Sequence, residues 1–187
     1  MREMLEVKEV YGMVVMDRRD ANIALLKGKT IVPIVKTHSE VPGKFKAGGQ
    51  SAMRFARQIE GAAKDHYKKV AEYMKEAFLN MEGLKGIIVG GPGPTKYDFV
   101  EGGFITNEVR KKIIAIKDLS YTEEFGLEEL LEKSQDVLAQ EEVTEEKKIV
   151  IKFLETLATK QNMVAYGEAD VMKKLKMGVV DKLLLSE

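Results

Sequence analysis

The residues best suited to chemistry form one short segment, Gly48-Gly49-Gln50. The glutamine side chain is neither basic nor nucleophilic at neutral pH, so it cannot act as an ordinary general base. A backbone N–H, in contrast, stabilises developing negative charge when it is held in place. Glycine permits positive φ and close approach to another polymer, so the two glycines would direct the N–H of Gln50 outward. The residue types therefore favour a backbone role for Gln50 at an oxyanion.

The tripeptide alone is a weak signal, because a tight turn that leads into a helix has the same composition. Its charged surroundings strengthen it. Between residues 43 and 57 the chain has four basic residues and no acidic one: Lys44, Lys46, Arg54 and Arg57. Four such cations suit contact with nucleic-acid phosphates and would make association depend strongly on salt. An alternative for the two arginines is that one of them pins the loop to its own domain.

A long helix is predicted to position this segment. Apolar or small residues recur in steps of three and four from Ala52 to Met81, which indicates one amphipathic helix of about thirty residues, roughly 45 Å long. Ser51 suits the N-cap and Gly83 suits the C-terminal end. A helix this long in so small a domain is expected to carry something at its tip.

The remaining patterns of the first part of the chain indicate an α/β fold. Three β-rich runs before the loop predict an antiparallel meander over residues 11–17, 21–28 and 29–38. After the long helix we expect a strand that runs into a rigid turn (84–94), a helix (104–112), a strand (113–120) and a helix (127–140). This alternation predicts a mixed, largely antiparallel sheet, with the Gly-Gly-Gln loop at the tip of the long helix.

The acidic segment 140–148 is the best candidate for a domain boundary. Beyond it the pattern predicts four short elements: a helix (145–160), a strand (163–167), a helix (168–178) and a strand (180–187). About forty residues are too few for a self-sufficient α/β domain. We therefore expect one domain over residues 1–143 and the truncated start of a second α/β domain over residues 144–187.

The composition excludes several classes of site. The 187 residues include 30 basic and 30 acidic residues, no cysteine and two histidines. Without cysteine there is no disulfide or thiolate metal site, which fits a reducing compartment. His38 and His66 lie far apart in the sequence, so no metal and no cofactor are expected, and His66 is interpreted as a packing or surface residue. No apolar run approaches a membrane span and no signal pattern is present, so a cytoplasmic protein is expected.

Residues 43–60, GKFKAGGQSAMRFARQIE, resemble the signature of class-I peptide chain release factors of the archaeal and eukaryotic type. The family pattern is Gly-Gly-Gln-Ser-Ala, a hydrophobic residue and Arg-Phe-Ala-Arg, and every position is met from Gly48 to Arg57. Further resemblance in residues 66–72, 118–130 and 145–185 extends it over nearly the whole chain. No segment resembles the codon-reading N-terminal domain of the family, and the C-terminal domain is cut short.

The resemblance implies translation termination, by hydrolysis of the peptidyl-tRNA ester in the ribosomal peptidyl transferase centre. Such hydrolysis is expected only together with the ribosome. The catalytic roles would fall on Gly48, Gly49 and Gln50: the N–H of Gln50 would stabilise the transition state, and its side-chain amide would admit water rather than a larger nucleophile. The residues expected to contact ribosomal RNA are Lys44, Lys46, Arg54 and Arg57.

The resemblance also implies partners. They are the large-subunit ribosomal RNA, the peptidyl-tRNA and, through a full C-terminal domain, a translational GTPase and a recycling ATPase. Many family members carry an N-methylated glutamine, so Gln50 is a candidate modification site and a glutamine methyltransferase a candidate partner. Two alternatives stay open: a ribosome rescue or quality-control factor with a related middle domain, and a non-catalytic RNA-binding adaptor.

Overall fold

The computed structural model describes the backbone of residues 9–40 and 50–185, and the side chains of residues 9–40 and 53–185. Its sheet has five strands: β1 (Val10–Met16), β2 (Asp20–Lys27), β3 (Thr30–His38), β4 (Leu84–Gly91) and β5 (Ile113–Asp118). Their order is β3-β2-β1-β4-β5. β2 pairs antiparallel with β1 and β3, whereas β4 pairs parallel with β1 and β5. The predicted mixed α/β sheet is confirmed, with the pairings divided equally between the two directions.

Six helices accompany the sheet in the described part of the chain: α1 (Gln50–Phe78), α2 (Thr95–Glu101), α3 (Asn107–Arg110), α4 (Glu124–Lys133), α5 (Gln135–Thr159) and α6 (Glu168–Lys176). The helix predicted near residues 104–112 is reduced to the single turn α3. α2 was not predicted, because the proline-rich turn before it indicated irregular structure. Pro94 occupies the N-cap of α2, where proline is tolerated because the first helical N–H groups have no intrahelical acceptor.

The two strands predicted beyond residue 160 are wrong. Residues 161–163 form a 3-10 turn, and no strand occurs in the described parts of 163–167 and 180–187. A strand needs a neighbour to pair its backbone groups, and the described residues after 137 contain no other strand that could serve as one. The chain divides into two compact units, 1–137 and 138–187, and the division falls within α5. None of the described residues of the second unit is buried.

The core of the first unit has two faces, because side chains alternate along each strand. On one face Val14 and Met16 of β1 join the hydrophobic cluster that includes Met74 and Phe78 of α1. On the other face α4 packs against the sheet, where Val15 lies beside Gly126. The sheet therefore holds the C-terminal half of α1 rigidly.

A buried lysine links α2 to the ends of β4 and β5. The side chain of Lys96 is fully buried, and its Nζ donates to the carboxylate of Asp118 and, at 2.5 Å, to the carbonyl oxygen of Gly93. The carboxylate partner is 77% exposed, so water stabilises it even without the lysine. The ammonium group has no such alternative, because a buried charge is costly unless it is paired.

This asymmetry predicts unequal effects of the two substitutions that break the pair. We expect Asp118→Ala to lower the free energy of unfolding by about 2–3 kcal/mol, because the buried ammonium group keeps only the Gly93 carbonyl as a hydrogen-bond acceptor, beside the Tyr97 ring at 4.6 Å. We expect Lys96→Met to cost less than about 1.5 kcal/mol, because an apolar side chain of similar length fills the same space. Urea unfolding of both variants measures the difference. A larger loss for Lys96→Met would contradict this account of the pair.

Candidate functional site

The candidate site lies at the N-terminal end of α1. Gln50 is the first residue of α1, so the helix begins before Ser51 and the N-cap prediction for Ser51 is wrong. Only the backbone of these two residues is described. The remaining predicted residues of the loop lie outside the described part of the chain: Lys44, Lys46, Gly48 and Gly49.

The first turns of α1 project beyond the core. The helix has 29 residues, which corresponds to about 43 Å, and it ends at Phe78 rather than near Gly83. From residue 53 to residue 61 no side chain is buried, whereas from Ala63 onward one face of the helix packs into the core. The predicted apolar stripe is therefore wrong for its first turns, where Ala56 is exposed. α1 is anchored at its C-terminal half and presents Gln50 at its far end.

The structure places both predicted arginines of α1 on these projecting turns. Arg54 and Arg57 are exposed, and Nε of Arg57 donates to the carbonyl oxygen of Met53 at 3.4 Å, within the helix. The first acidic residue of α1 is Glu60, and Lys64 donates to its carboxylate at 2.8 Å and holds its pKa below the usual range. The projecting turns before Glu60 thus carry two positive charges and no negative one.

Two large apolar side chains on the same turns are positions of the signature, but the sequence analysis assigned them no role of their own. Met53 is 68% exposed and Phe55 is 40% exposed. Both lie off the predicted packing stripe of α1, and this is the signal that could have identified them. Exposed apolar and aromatic groups beside arginine suit contact with nucleic-acid bases, which stack on such side chains.

The two histidines come together although they are far apart in the sequence. His38 at the end of β3 and His66 in α1 line one cleft, with Glu40, Asp65 and Lys69 among its other residues. His66 is buried, which agrees with the packing interpretation. Within the described residues, no group of three or more histidine, aspartate or glutamate side chains has a geometry that could hold a metal ion.

The carboxylate of Glu129 on α4 pairs with a lysine and accepts two backbone N–H groups from the segment just after β5. Lys133 donates to Glu129 at 2.8 Å, and the backbone N–H groups of Ser120 and Tyr121 donate to the same carboxylate. The lysine first, and then the two N–H groups, hold the pKa of Glu129 below the usual range although burial opposes them. Among the described helices, none is long and apolar enough to cross a membrane.

Comparison with known proteins relates the chain to translation factors. Residues 10–140 match the family model described as eRF1 domain 2, and residues 143–187 match that of eRF1 domain 3. The chain is 49% identical to "Peptide chain release factor subunit 1" of Methanopyrus kandleri over 187 residues, which cover 100% of this chain and 45% of that protein. The chain thus spans about half the length of the curated relatives it matches.

Two solved structures extend the comparison. The crystal structure of an archaeal translation termination factor, aRF1, is similar with a TM-score of 0.61 and 29% identity, covering 95% of this chain and 49% of that one. The Pelota protein of Archaeoglobus fulgidus is similar with a TM-score of 0.54 and 20% identity, covering 94% of this chain and 48% of that one, a likeness in fold alone. On the family models and the identity to curated relatives, the chain belongs to the archaeal and eukaryotic class-I release factor (eRF1) family, whose domains 2 and 3 it matches.

Proposed function

We propose that this segment acts in translation termination, where it promotes hydrolysis of the ester that joins the finished peptide to transfer RNA. The observation that carries the proposal is the place of Gln50, at the start of a helix whose first turns project clear of the core. The Gly-Gly-Gln tripeptide, whose glutamine is the first residue of this helix, lies in the segment that resembles the release-factor signature. Membership of the release factor family supports the reaction.

In this proposal the backbone of Gln50 supplies the chemistry. The first N–H groups of an α-helix have no intrahelical acceptor and lie at the positive end of the helix dipole. The N–H of Gln50 then donates to the oxyanion that forms when water attacks the ester carbonyl, and to the leaving 3′-oxygen. Gly48 and Gly49 permit the approach to the ester, and the side-chain amide of Gln50 leaves room for water but not for a larger nucleophile.

The proton balance assigns part of the reaction to the ribosome. Water adds to the carbonyl carbon, the bond to the 3′-oxygen breaks, one proton of the water leaves and the 3′-oxygen gains one. The projecting turns from Met53 to Ile59 contain no aspartate, glutamate or histidine that could accept a proton. Ribosomal RNA, the terminal ribose or solvent carries it instead, so the segment acts as a hydrolysis factor only together with the ribosome.

The basic residues around the tripeptide contact ribosomal RNA in this proposal. For the double variant Arg54→Ala/Arg57→Ala we expect weaker ribosome association. The slope of log affinity against log salt should fall by about 0.7–0.9 for each lost phosphate contact. Binding titrations at several salt concentrations measure the slope.

A second double variant is the matched control for this measurement. Lys64 and Lys68 lie farther along α1 and already pair with Glu60 at 2.8 Å and Asp65 at 3.2 Å. We expect Lys64→Ala/Lys68→Ala to leave the slope unchanged. A change of slope for the lysine variant alone would show that the RNA contact lies elsewhere on the helix.

The remaining assignments of the proposal concern domains, partners and place. We assign residues 1–143 to the middle domain and residues 144–187 to the partner-binding C-terminal domain, which in longer family members docks a translational GTPase and a recycling ATPase. The protein acts in the cytoplasm on ribosomes that hold peptidyl-tRNA.

Mass spectrometry of the natural protein tests methylation at Gln50. A loop variant that loses ribosome binding and release together would favour the RNA-binding adaptor instead.

A further inference from the structure

The buried imidazole of His66 lacks a hydrogen-bond partner. The residue is 2% exposed, and neither of its ring nitrogens forms a hydrogen bond with the described residues, although the backbone of Asp20 lies near enough to favour the protonated form. Buried polar atoms are nearly always paired, because an unpaired one loses its hydration without compensation. An apolar ring would fill this place in the core without leaving polar atoms unpaired, so the imidazole calls for a physical explanation.

Three elements meet at this residue. The β1–β2 turn with the first residue of β2 contributes the charges of Asp17 and Asp20, and the end of β3 with the residues just after it contributes His38 and Glu40. α1 itself adds Asp65 and Lys69, and the Tyr67 ring lies 6.4 Å from that of His66, centroid to centroid. The turn and the strand end are joined, since the N–H of Ser39 donates to the carbonyl oxygen of Arg19 at 2.7 Å. The β1–β2 turn and the end of β3 therefore contact α1 together.

Three carboxylates around His66, those of Asp17, Asp20 and Asp65, already have partners. The carboxylate of Asp17 accepts the backbone N–H groups of Arg19 at 2.6 Å and Asp20 at 2.7 Å. The carboxylate of Asp20 lies 2.7 Å from the Nδ1 of His38. Asp65 pairs with Lys68 at 3.2 Å. A proton on His66 thus gains attraction from the turn, but the carboxylates of Asp17, Asp20 and Asp65 are already in use as acceptors.

We propose that His66 is a proton-controlled latch, which when neutral seats the β1–β2 turn and the end of β3 against α1 and when protonated releases them toward solvent. The latch lies at the end of β3, which is His38, and where α1 begins to pack, at the base of its projecting turns. It goes beyond the proposed function, because its operation requires neither ribosome nor RNA.

The direction of the pH dependence follows from the surroundings of the ring. Burial lowers the pKa of His66 from its ordinary value of 6.5, and the charge of Lys69 lowers it further. The backbone of Asp20 and the charges of Asp17 and Asp20 raise this pKa and so oppose part of the lowering. The released form therefore binds the proton more readily than the seated form. By linkage the seated form is fully stable above a pH of about 6.5 and weakens as the pH falls below it.

Nuclear magnetic resonance of the chain as it stands tests the latch. The chain has two histidines, so His38→Gln leaves one imidazole signal, which we expect to titrate below a pH of about 6.5. Amide-exchange protection factors, which correct for intrinsic exchange, are compared between a pH of about 7.5 and about 5.5. At the lower pH we expect protection of residues 62–70 to fall about tenfold relative to β4, in the natural sequence and in His38→Gln.

The variant His66→Phe keeps a ring of similar size but cannot titrate, so its protection should not change with pH. Equal loss of protection in His66→Phe, or a histidine signal in His38→Gln that titrates at or above 6.5, would overturn the proposal. If His66→Phe fails to fold, His38→Gln decides. In His38→Gln the pH midpoint of the His66 imidazole titration must then equal the pH midpoint of the loss of amide protection. Different midpoints would overturn the latch.

Discussion

Gln50→Pro is expected to abolish peptide release, whereas Gln50→Ala is expected to retain measurable activity. Only proline removes the backbone N–H, and loss of one oxyanion donor costs about 3–4 kcal/mol, or roughly a hundred- to a thousand-fold in rate. Proline is well tolerated at the first position of a helix, and Gln50 occupies that position in α1. The substitution therefore removes the donor without breaking the helix that presents it.

Single-turnover release measures this difference on ribosomes that carry peptidyl-tRNA, with the segment placed at the matching position of the Methanopyrus kandleri relative. Ser51→Pro is the matched control, because it removes the next N–H of the first helical turn and keeps that of Gln50. We expect Ser51→Pro to release peptide much faster than Gln50→Pro. Equal rates for Gln50→Pro and Gln50→Ala would contradict the backbone assignment and favour a role of the side chain.

Gly91→Ala is expected to cause the largest loss of stability among conservative changes in the sheet. A Cβ atom at Gly91 would lie 1.9 Å from the carbonyl oxygen of Met16, a backbone atom of the neighbouring strand β1. That oxygen cannot move away as a flexible side chain would, so β1 and β4 must separate locally. We expect the free energy of unfolding to fall by at least about 3 kcal/mol, the size typical of severe overpacking.

Gly61→Ala is the matched control, with an effect of opposite sign. Gly61 lies in the exposed part of α1, and apart from the neighbouring backbone of α1 no described atom would lie within 4 Å of an added Cβ. Alanine favours the helix over glycine by about 0.5–1 kcal/mol, so this variant should be more stable than the natural sequence. Urea unfolding of both variants tests the pair. A loss below about 1 kcal/mol for Gly91→Ala would show that β1 and β4 are not so closely apposed.

The elements that were predicted well depend on short-range pattern. The strands β1 to β5 follow runs of β-branched and apolar residues, and α1 follows a spacing of three and four along 29 residues. Hydrogen bonds within a helix join residues four apart, so the sequence around each position carries the information. The Gly-Gly-Gln tripeptide and its basic neighbours were identified in the same way, although the structure does not describe the loop itself.

The local pattern could not show which distant residues would pack against a given segment or side chain. The apolar runs at 163–167 and 180–187 resemble strands, but a strand forms only against a neighbour, and neighbours come from elsewhere in the chain. Lys96 was not singled out, and its burial depends on Asp118, 22 residues away. The separation of His38 and His66 in the sequence argued against a metal site, but it did not indicate that both line one cleft.

The sequence alone was enough to establish the family, the mixed α/β class and the presence of the long helix α1, although not its first residue. Only the tertiary structure decided which turns of α1 are exposed and that Lys96 and His66 are buried. It also decided which apolar runs have no strand to pair with. The physical reason is the distance along the chain over which each interaction acts. Backbone periodicity acts over a few residues, whereas burial and strand pairing are set by whichever distant segments pack against a residue.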